Sequence, residues 1–499
     1  LIQNILQGFT SLCNANLILL ILFGTLFGLI IGSLPGLTGN MAIALMVPIT
    51  FVMKPTEGLA LLSAIYCSSI YGGSISAILL NIPGTVSSFC TTFDGYPLAK
   101  KGRAGEALGI STLSSAFGGL FSTLILMLFT PFLAEQALKF GPGEYFAVAV
   151  LGLSCIAGLG DSPKKGLLSG ALGLLLGMIG MDPQSGRPRF TFGSVELMNG
   201  LGLVPSLIGI FGVIAVLKTA ERAKQISKVG AMPEVGSVWI GWKNCKKLLP
   251  TWLRGSVLGT VVGIIPGTGT NVATFMSYDL EKKLSKHREE FGHGAPEGIA
   301  APESSNNAVT GGSMVPLIAL GIPGNATSAL FLGAIMIHGF QTGPVFMTEH
   351  ADVVYSLFAA FFIANLIMIP LGMLVMRGAK KILSVPENLL GGIILVLCAT
   401  GVYSLRSDAF DVLVMIIFGI IGYAFYKFKI PTAPLIVAMV LESITESSLR
   451  QALVASNGSY EFMWTSPLTC VILILSLLSL FSPLIMKAVR FAKRKKAGA

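Results

Sequence analysis

Charge is scarce in this sequence of 499 residues: Asp, Glu, Lys and Arg together make up 12%. That is roughly half the share of a soluble globular domain. No long stretch has mixed soluble composition; the most polar one, Lys218–Arg254, is too short to be a domain. Histidine is scarcer still, with His287, His293, His338 and His350 scattered along the chain. No HExxH, Walker or GxSxG spacing occurs, and no nucleophile–base pair or metal cluster can be assembled, so an enzyme is not expected. The cysteines (Cys13, Cys67, Cys90, Cys155, Cys245, Cys398, Cys470) lack metal-ligand spacing and mostly lie in apolar segments, as small buried hydrophobes do. The first residues lack the charged start and cleavage site of a signal peptide. They also lack an initiator methionine, so the numbering is expected to begin inside the natural chain.

Apolar sequence is what abounds: 53% of residues are hydrophobic and the mean hydropathy is +0.78. Runs near the length needed to cross hydrocarbon, about 20 residues, recur throughout. The clearest are Leu17–Leu34, Glu106–Leu133, Glu144–Leu159, Leu201–Leu217, Val353–Met376, Leu389–Leu405, Val412–Phe425 and Leu468–Met486. These predict an all-α polytopic membrane protein. The net charge of +10 then reads as loop Lys and Arg that orient the chain and attract anionic lipid, not as a nucleic-acid surface.

Two stretches interrupt this pattern. "GSLPGLTGN" ends at Asn40 and "GIIPGTGTN" at Asn271, each placing Pro-Gly and polar side chains at the end of an apolar run. Pro35-Gly36 and Asn40 match Pro266-Gly267 and Asn271 at an offset of 231. Glu57-Gly58 recurs as Glu297-Gly298 and Ile82–Gly84 as Ile322–Gly324, both at 240; Gly72–Ser74 recurs as Gly311–Ser313 at 239. Glu144, Cys155 and Gly158 match Glu387, Cys398 and Gly401 at 243. Ordered matches at a nearly constant offset predict two homologous halves. The boundaries expected are 1–220 and 251–445 for the repeats, 221–250 for a basic linker, and 446–499 for a final transmembrane helix and basic tail.

Charge predicts orientation. Lys218, Arg222, Lys224, Lys228, Lys243, Lys246 and Lys247 place the linker in the cytoplasm, and Lys487–Lys496 the C-terminus. Lys100, Lys101 and Arg103 precede the helix near Glu106, whereas Arg377, Lys380 and Lys381 follow the one near Val353. Equivalent helices should therefore cross in opposite directions, giving inverted repeats with broken or re-entrant helices meeting at mid-membrane. Lys139, Arg187 and Arg189 oppose this but are outnumbered by the larger clusters. Inverted repeats with paired breakers point to a secondary transporter.

A helix broken at Pro-Gly frees backbone N–H groups that favour an anion, a carboxylate in particular, while freed carbonyls suit a cation such as sodium. The expected substrate site is Pro35, Gly36, Thr38, Gly39 and Asn40 with Pro266, Gly267, Thr268, Gly269, Thr270 and Asn271. Gly84, Thr85 and Ser87 after the first IPG, and Gly324, Asn325, Thr327 and Ser328 after the second, join it. A sodium ion is expected near Asn40 and Asn271. The alternative is that the Pro-Gly pairs are ordinary turns. Glu303, Asn306, Asn307 and Thr310 fall on one helical face and are candidates for coupling-ion binding or gating. Against this, Pro302 would allow a helix to start at the water boundary beside Glu303. Asp94, Asp161, Asp408 and Asp411 are expected in solvated loops.

The segments "GSLPGLTGNMAIALMVP", "YGGSISAILLNIPG", "FDGYPLAKKGRAGEAL", "GIIPGTGTN" and "APESSNNAVTGGSMVPLIALGIPG" resemble the large membrane subunit (TctA type) of bacterial tripartite tricarboxylate transporters. The resemblance covers nearly the whole chain. It implies a permease in the bacterial cytoplasmic membrane that imports di- or tricarboxylates on a cation gradient, usually sodium. It also implies two partners, a small membrane subunit and an extracytoplasmic solute-binding protein, and no cofactor beyond the coupling ion, sodium or proton. "LTGNMA" after the first Pro-Gly departs from the citrate-type pattern, which has a further proline and glycine there, so the carboxylate stays open. A carboxylate-selective channel, or a one-component carrier needing no binding protein, is the alternative.

Overall fold

The computed structural model describes residues 1–35, 37–158, 162–182, 184–222, 234–383 and 387–481. Gly36, Asp161, Lys224, Lys228 and the tail Lys487–Lys496 lie outside the described residues. Among the described residues the fold is all-α apart from a small hairpin pairing Gly180–Met181 with Pro188–Arg189.

Ten helices build the centre, five from each half. The first set is α1 (Ala15–Ser33), α2 (Gly39–Thr50), α3 (Pro55–Leu80), α4 (Thr91–Leu98) and α5 (Ala104–Ala137). The second is α6 (Trp242–Ile264), α7 (Thr270–Leu284), α8 (Pro296–Leu320), α9 (Ala326–Ile337) and α10 (Ala351–Arg377). The same local chemistry shapes both. Pro55 and Pro296 start α3 and α8 at a position where the missing N–H costs nothing. Both helices stop at a left-handed residue, Asn81 or Gly321, and IPG turns the chain back. Thr85 and Asn325 then begin the next turn by accepting the N–H of Ser88 and Ser328, whose hydroxyls accept the N–H of Thr85 and Asn325 in return.

α1 and α6 lie against α3 and α8 along matching stripes of glycine. Gly24, Gly28 and Gly32 approach Leu61, Ile65 and Ser69 of α3, and Gly255, Gly259 and Gly263 approach Ala301, Ser305 and Val309 of α8. An added Cβ at Gly32 or Gly259 would lie 2.3 or 2.2 Å from a carbonyl oxygen of the facing helix. Small residues at this spacing bring backbones together where no hydrophobic effect drives helices to associate.

The halves interlock through their long helices. α5 packs on α8, with Gly118 against the Ser304 carbonyl, and α10 packs on α3, with Gly372 against Tyr71. α3 and α8 pass each other antiparallel: Tyr66 meets Ser313 at 3.0 Å, and Ser74 meets Glu303 at 2.6 Å.

Among the described residues five helices are long and apolar enough to span a membrane: α1, α3, the stretch Thr91–Ala137, α10 and Ala409–Lys427. The runs at Leu201, Leu389 and Leu468 give shorter apolar helices, and Glu144–Leu159 gives Pro142–Ser154. α3 was not among the apolar runs and neither was α8. Protein buries both on every side, so Ser, Thr, Gly and Asn replace the leucines a lipid-facing helix would need. Residue 251 falls within α6 and residue 445 within the helix Ala433–Ala455, so neither boundary marks a break in the chain.

Candidate functional site

α2 begins at Thr38, whose hydroxyl accepts the Met41 N–H at 3.4 Å. α7 begins at Gly269, which, like Gly267, has a left-handed backbone. Gly267 also needs its small size, because a Cβ there would lie 2.4 Å from that of Cys155. The Thr268 hydroxyl donates to the carbonyls of Val262 and Ile265, satisfying the end of α6. The Gly267 N–H donates to the Gly324 carbonyl at 2.9 Å, tying the second Pro-Gly loop to the second IPG loop.

These starts converge. One cavity of about 490 Å³ is lined by Thr38, Gly39 and Asn40 from the first Pro-Gly loop and by Thr268–Val272 from the second. Thr85, Val86 and Ser87 follow the first IPG into it; Asn325, Ala326 and Thr327 follow the second; Ile70 and Ala433 complete the wall. The N-terminal ends of α2, α7 and α9 therefore open on one space, joined by the short turn Val86–Phe89 that leads into α4. First-turn N–H groups have no partner within their own helix, and each helix start carries a partial positive charge. None of the described lining residues is charged. Helix starts without a charged side chain among the described lining residues can receive an anion through backbone and hydroxyl groups.

Not every expected residue lines it. Pro35, Pro266, Gly267, Gly84, Gly324 and Ser328 stand behind the wall, where they turn or cap the chain. Asn40 and Asn271 share the cavity, but Asn40 Oδ1 accepts the hydroxyl of Thr327. The bridge thus runs from the first Pro-Gly loop to the second IPG loop. Asn325 is occupied by capping, and its amide donates to the Tyr66 hydroxyl at 3.1 Å. Tyr66, fully buried in α3, was missed by sequence reasoning. Its one signal is its position 240 residues before Asn306.

Glu303 sits in the interior rather than at the water boundary. α8 starts at Pro296, and Pro302 lies inside it. Glu303 is 0% exposed and accepts hydroxyls from Ser74 (2.6 Å), Ser115 (2.7 Å) and Thr91, so α3, α4 and α5 all converge on it. Asn307 donates to the Ser115 carbonyl at 2.9 Å and to Asn365 at 3.1 Å, and the Thr310 hydroxyl donates to the Asn307 carbonyl. Asn306 is 1% exposed, and neither its amide oxygen nor its nitrogen has a hydrogen-bond partner. None of these four lines the cavity above. Among the described residues Glu303 forms no ion pair, and the spare amide of Asn306 lies one helical turn away; a small cation or proton could balance its charge there.

Two aspartates differ from the solvated loops expected. Asp94 is buried in α4, accepts the N–H groups of Gly292, Gly294 and Ala295 at 2.8 Å each, and takes the Tyr278 hydroxyl at 2.8 Å. A carboxylate this well supplied with donors can be buried. Asp411 is buried in the first turn of Ala409–Lys427 and pairs with Arg406 at 3.1 Å. Asp408 remains exposed and caps that helix through the Phe410 N–H.

Residues 18–437 match the family model of the tripartite tricarboxylate transporter TctA family. The chain belongs to that family. It is a TctA-type large subunit, a membrane component of a transporter. It is 40% identical over 479 residues to an Agrobacterium vitis protein described as an uncharacterized 52.8 kDa protein in the TAR-I ttuC' 3'region, covering 96% of this chain and 95% of that one. A second A. vitis protein, in the TAR-II ttuC' 3'region and also described as uncharacterized, is 37% identical over 219 residues, 44% of this chain and 90% of its own length. No solved structure matches.

Proposed function

We propose that this TctA-family chain is the permease subunit of a binding-protein-dependent secondary transporter, importing small di- or tricarboxylates on a cation gradient, with sodium as the coupling ion. The observation that carries the reading is the shared cavity. Paired helix breaks from both halves supply its walls, and it offers an anion several helix starts but no fixed cation. Such a site binds a carboxylate without a guanidinium clamp, which favours release as well as capture. Glu303 with Asn306 and Asn307 is the coupling-ion chamber in this reading, and amide oxygens of Asn40 or Asn271 could place sodium beside the substrate. The antiparallel passage of α3 and α8, which occupy equivalent places in the two halves, supports inverted repeats. The chain then lies in the bacterial cytoplasmic membrane with its linker and C-terminus inside. A small membrane subunit and a solute-binding protein complete the system.

The test is uptake into proteoliposomes holding this chain and its small membrane subunit, with and without the binding protein and a sodium gradient. Carboxylate accumulation should require both. Accumulation without the binding protein would mean a one-component carrier, and flux that only dissipates the substrate's own gradient would mean a channel.

A further inference from the structure

An apolar groove of about 590 Å³ shares no lining residue with the substrate cavity. One wall is Leu172, Leu175 and Leu176 of the helix Pro163–Gly177. The other is Ile421, Ala424 and Phe425 of the helix Ala409–Lys427. Phe190 and Phe192, just past the hairpin, extend it beyond the end of the first helix. Every described lining side chain is apolar, yet the groove is open: Leu175 is 54% exposed and Phe192 88%. Ala409–Lys427 is one of the helices long and apolar enough to span a membrane.

The surface turns basic where the first helix starts and the second ends. The Lys165 ammonium donates to the Phe428 carbonyl at 2.6 Å, so the two ends meet. Lys164 and Lys429, next in sequence to these partners, are exposed and form no ion pair among the described residues. Lys427 pairs with Glu221, and the Lys218 ammonium lies 4.1 Å from the centre of the Tyr426 ring. Tyr423, Tyr426 and the exposed Phe428 stand at the same end. Basic and aromatic side chains gather in this way at a membrane–water interface. Leu172 lies seven residues beyond Lys165, about 10 Å further along the helix.

We propose that this groove binds an anionic phospholipid, with one acyl chain along its leucines and the phosphate at Lys164 and Lys429. The two ends select that occupant together. An unbroken apolar wall takes a hydrocarbon chain and offers a polar group nothing. Exposed lysines at the mouth of a groove between membrane helices favour an anionic headgroup. A zwitterionic lipid would use the groove without gaining from the lysines, and so would an apolar helix of a partner. The assignment does not depend on the transport reading above.

The test is native mass spectrometry of the full-length protein in detergent, titrated with phosphatidylglycerol or with phosphatidylcholine carrying the same chains. One phosphatidylglycerol should be held at least about tenfold more tightly than phosphatidylcholine. The double variant Lys164→Gln/Lys429→Gln changes only exposed side chains and should lose that preference. Lys282→Gln/Lys286→Gln, exposed elsewhere, should keep it. The chain is located by Leu175→Trp, at a half-exposed position in the wall. Phosphatidylglycerol with brominated chains should quench its added indole fluorescence beyond the quenching seen in the wild type. Equal affinity for the two headgroups, or a preference that survives Lys164→Gln/Lys429→Gln, would overturn the proposal. So would an unquenched indole, which would leave the groove to a partner's helix or to nothing. Displacement of the lipid by excess glycerol phosphate would also overturn it, since the lysines would then serve a soluble anion.

Discussion

At the residue scale, the cavity depends on amides and hydroxyls whose removal has a calculable effect. Asn271→Ala removes a hydrogen-bonding side chain from the wall, and Asn40→Ala also releases Thr327. Each should weaken carboxylate binding by on the order of 1–3 kcal/mol, roughly tenfold or more in affinity. Thr56→Ala, in the first turn of α3 and outside the cavity, should not. Calorimetric titration of the purified protein with the transported carboxylate checks this. Glu303→Gln keeps the shape of the buried side chain and removes its charge. It should abolish cation dependence of uptake while expression and folding persist. An unchanged rate and unchanged cation dependence in reconstituted vesicles would make Glu303 purely structural.

At the element scale, the glycine stripes and the Asp94 anchor make separate predictions. Gly259→Ala drives a methyl group into the Ser305 carbonyl, so α6 must move off α8. Gly392, in the helix Glu387–Arg406, has nothing within 4 Å of a Cβ. Gly392→Ala should therefore hold or raise the unfolding midpoint, through helix propensity worth roughly 1 kcal/mol, while Gly259→Ala lowers it. Thermal unfolding of the two purified variants compares them directly. Asp94→Ala leaves three backbone N–H groups without their acceptor, a loss of about 1–3 kcal/mol. It should free the segment before α8, seen as faster protease cleavage between Ser285 and Ala295 at unchanged cleavage elsewhere.

At the scale of the whole molecule, an inverted repeat predicts which surfaces share a side of the membrane. Gly102 and Lys381 are exposed beyond the start of α5 and the end of α10, and Glu135 and Asp352 are exposed at the opposite ends. Single cysteines at Gly102 and Lys381 should label from the cytoplasm. Those at Glu135 and Asp352 should label from the other side. A membrane-impermeant maleimide on cells and on inverted vesicles reads this out. Labelling of Gly102 and Lys381 from opposite sides would rule out the inverted arrangement.

Local chemistry is written along the chain, and sequence alone determined the parts that depend on it. The Pro-Gly breaks, the IPG turns, the repeat offset and the helical face of Glu303 were all legible, because each rests on backbone restriction or on periodicity. Two regular signals went unread, the glycine stripes of α1 and α6 at the same offset of 231 as the Pro-Gly loops. Burial could not be read. α8 falls short of a membrane span by composition although protein buries it, and Asp94 looks like a loop residue, until neighbours distant in sequence supply hydroxyls and N–H groups. Pairing could not be read either: the repeat matched Asn40 with Asn271, and both line the cavity, but packing gave the Asn40 amide oxygen to Thr327. A hydrogen bond between residues hundreds of positions apart is decided by how helices cross, and only the tertiary structure sets that crossing.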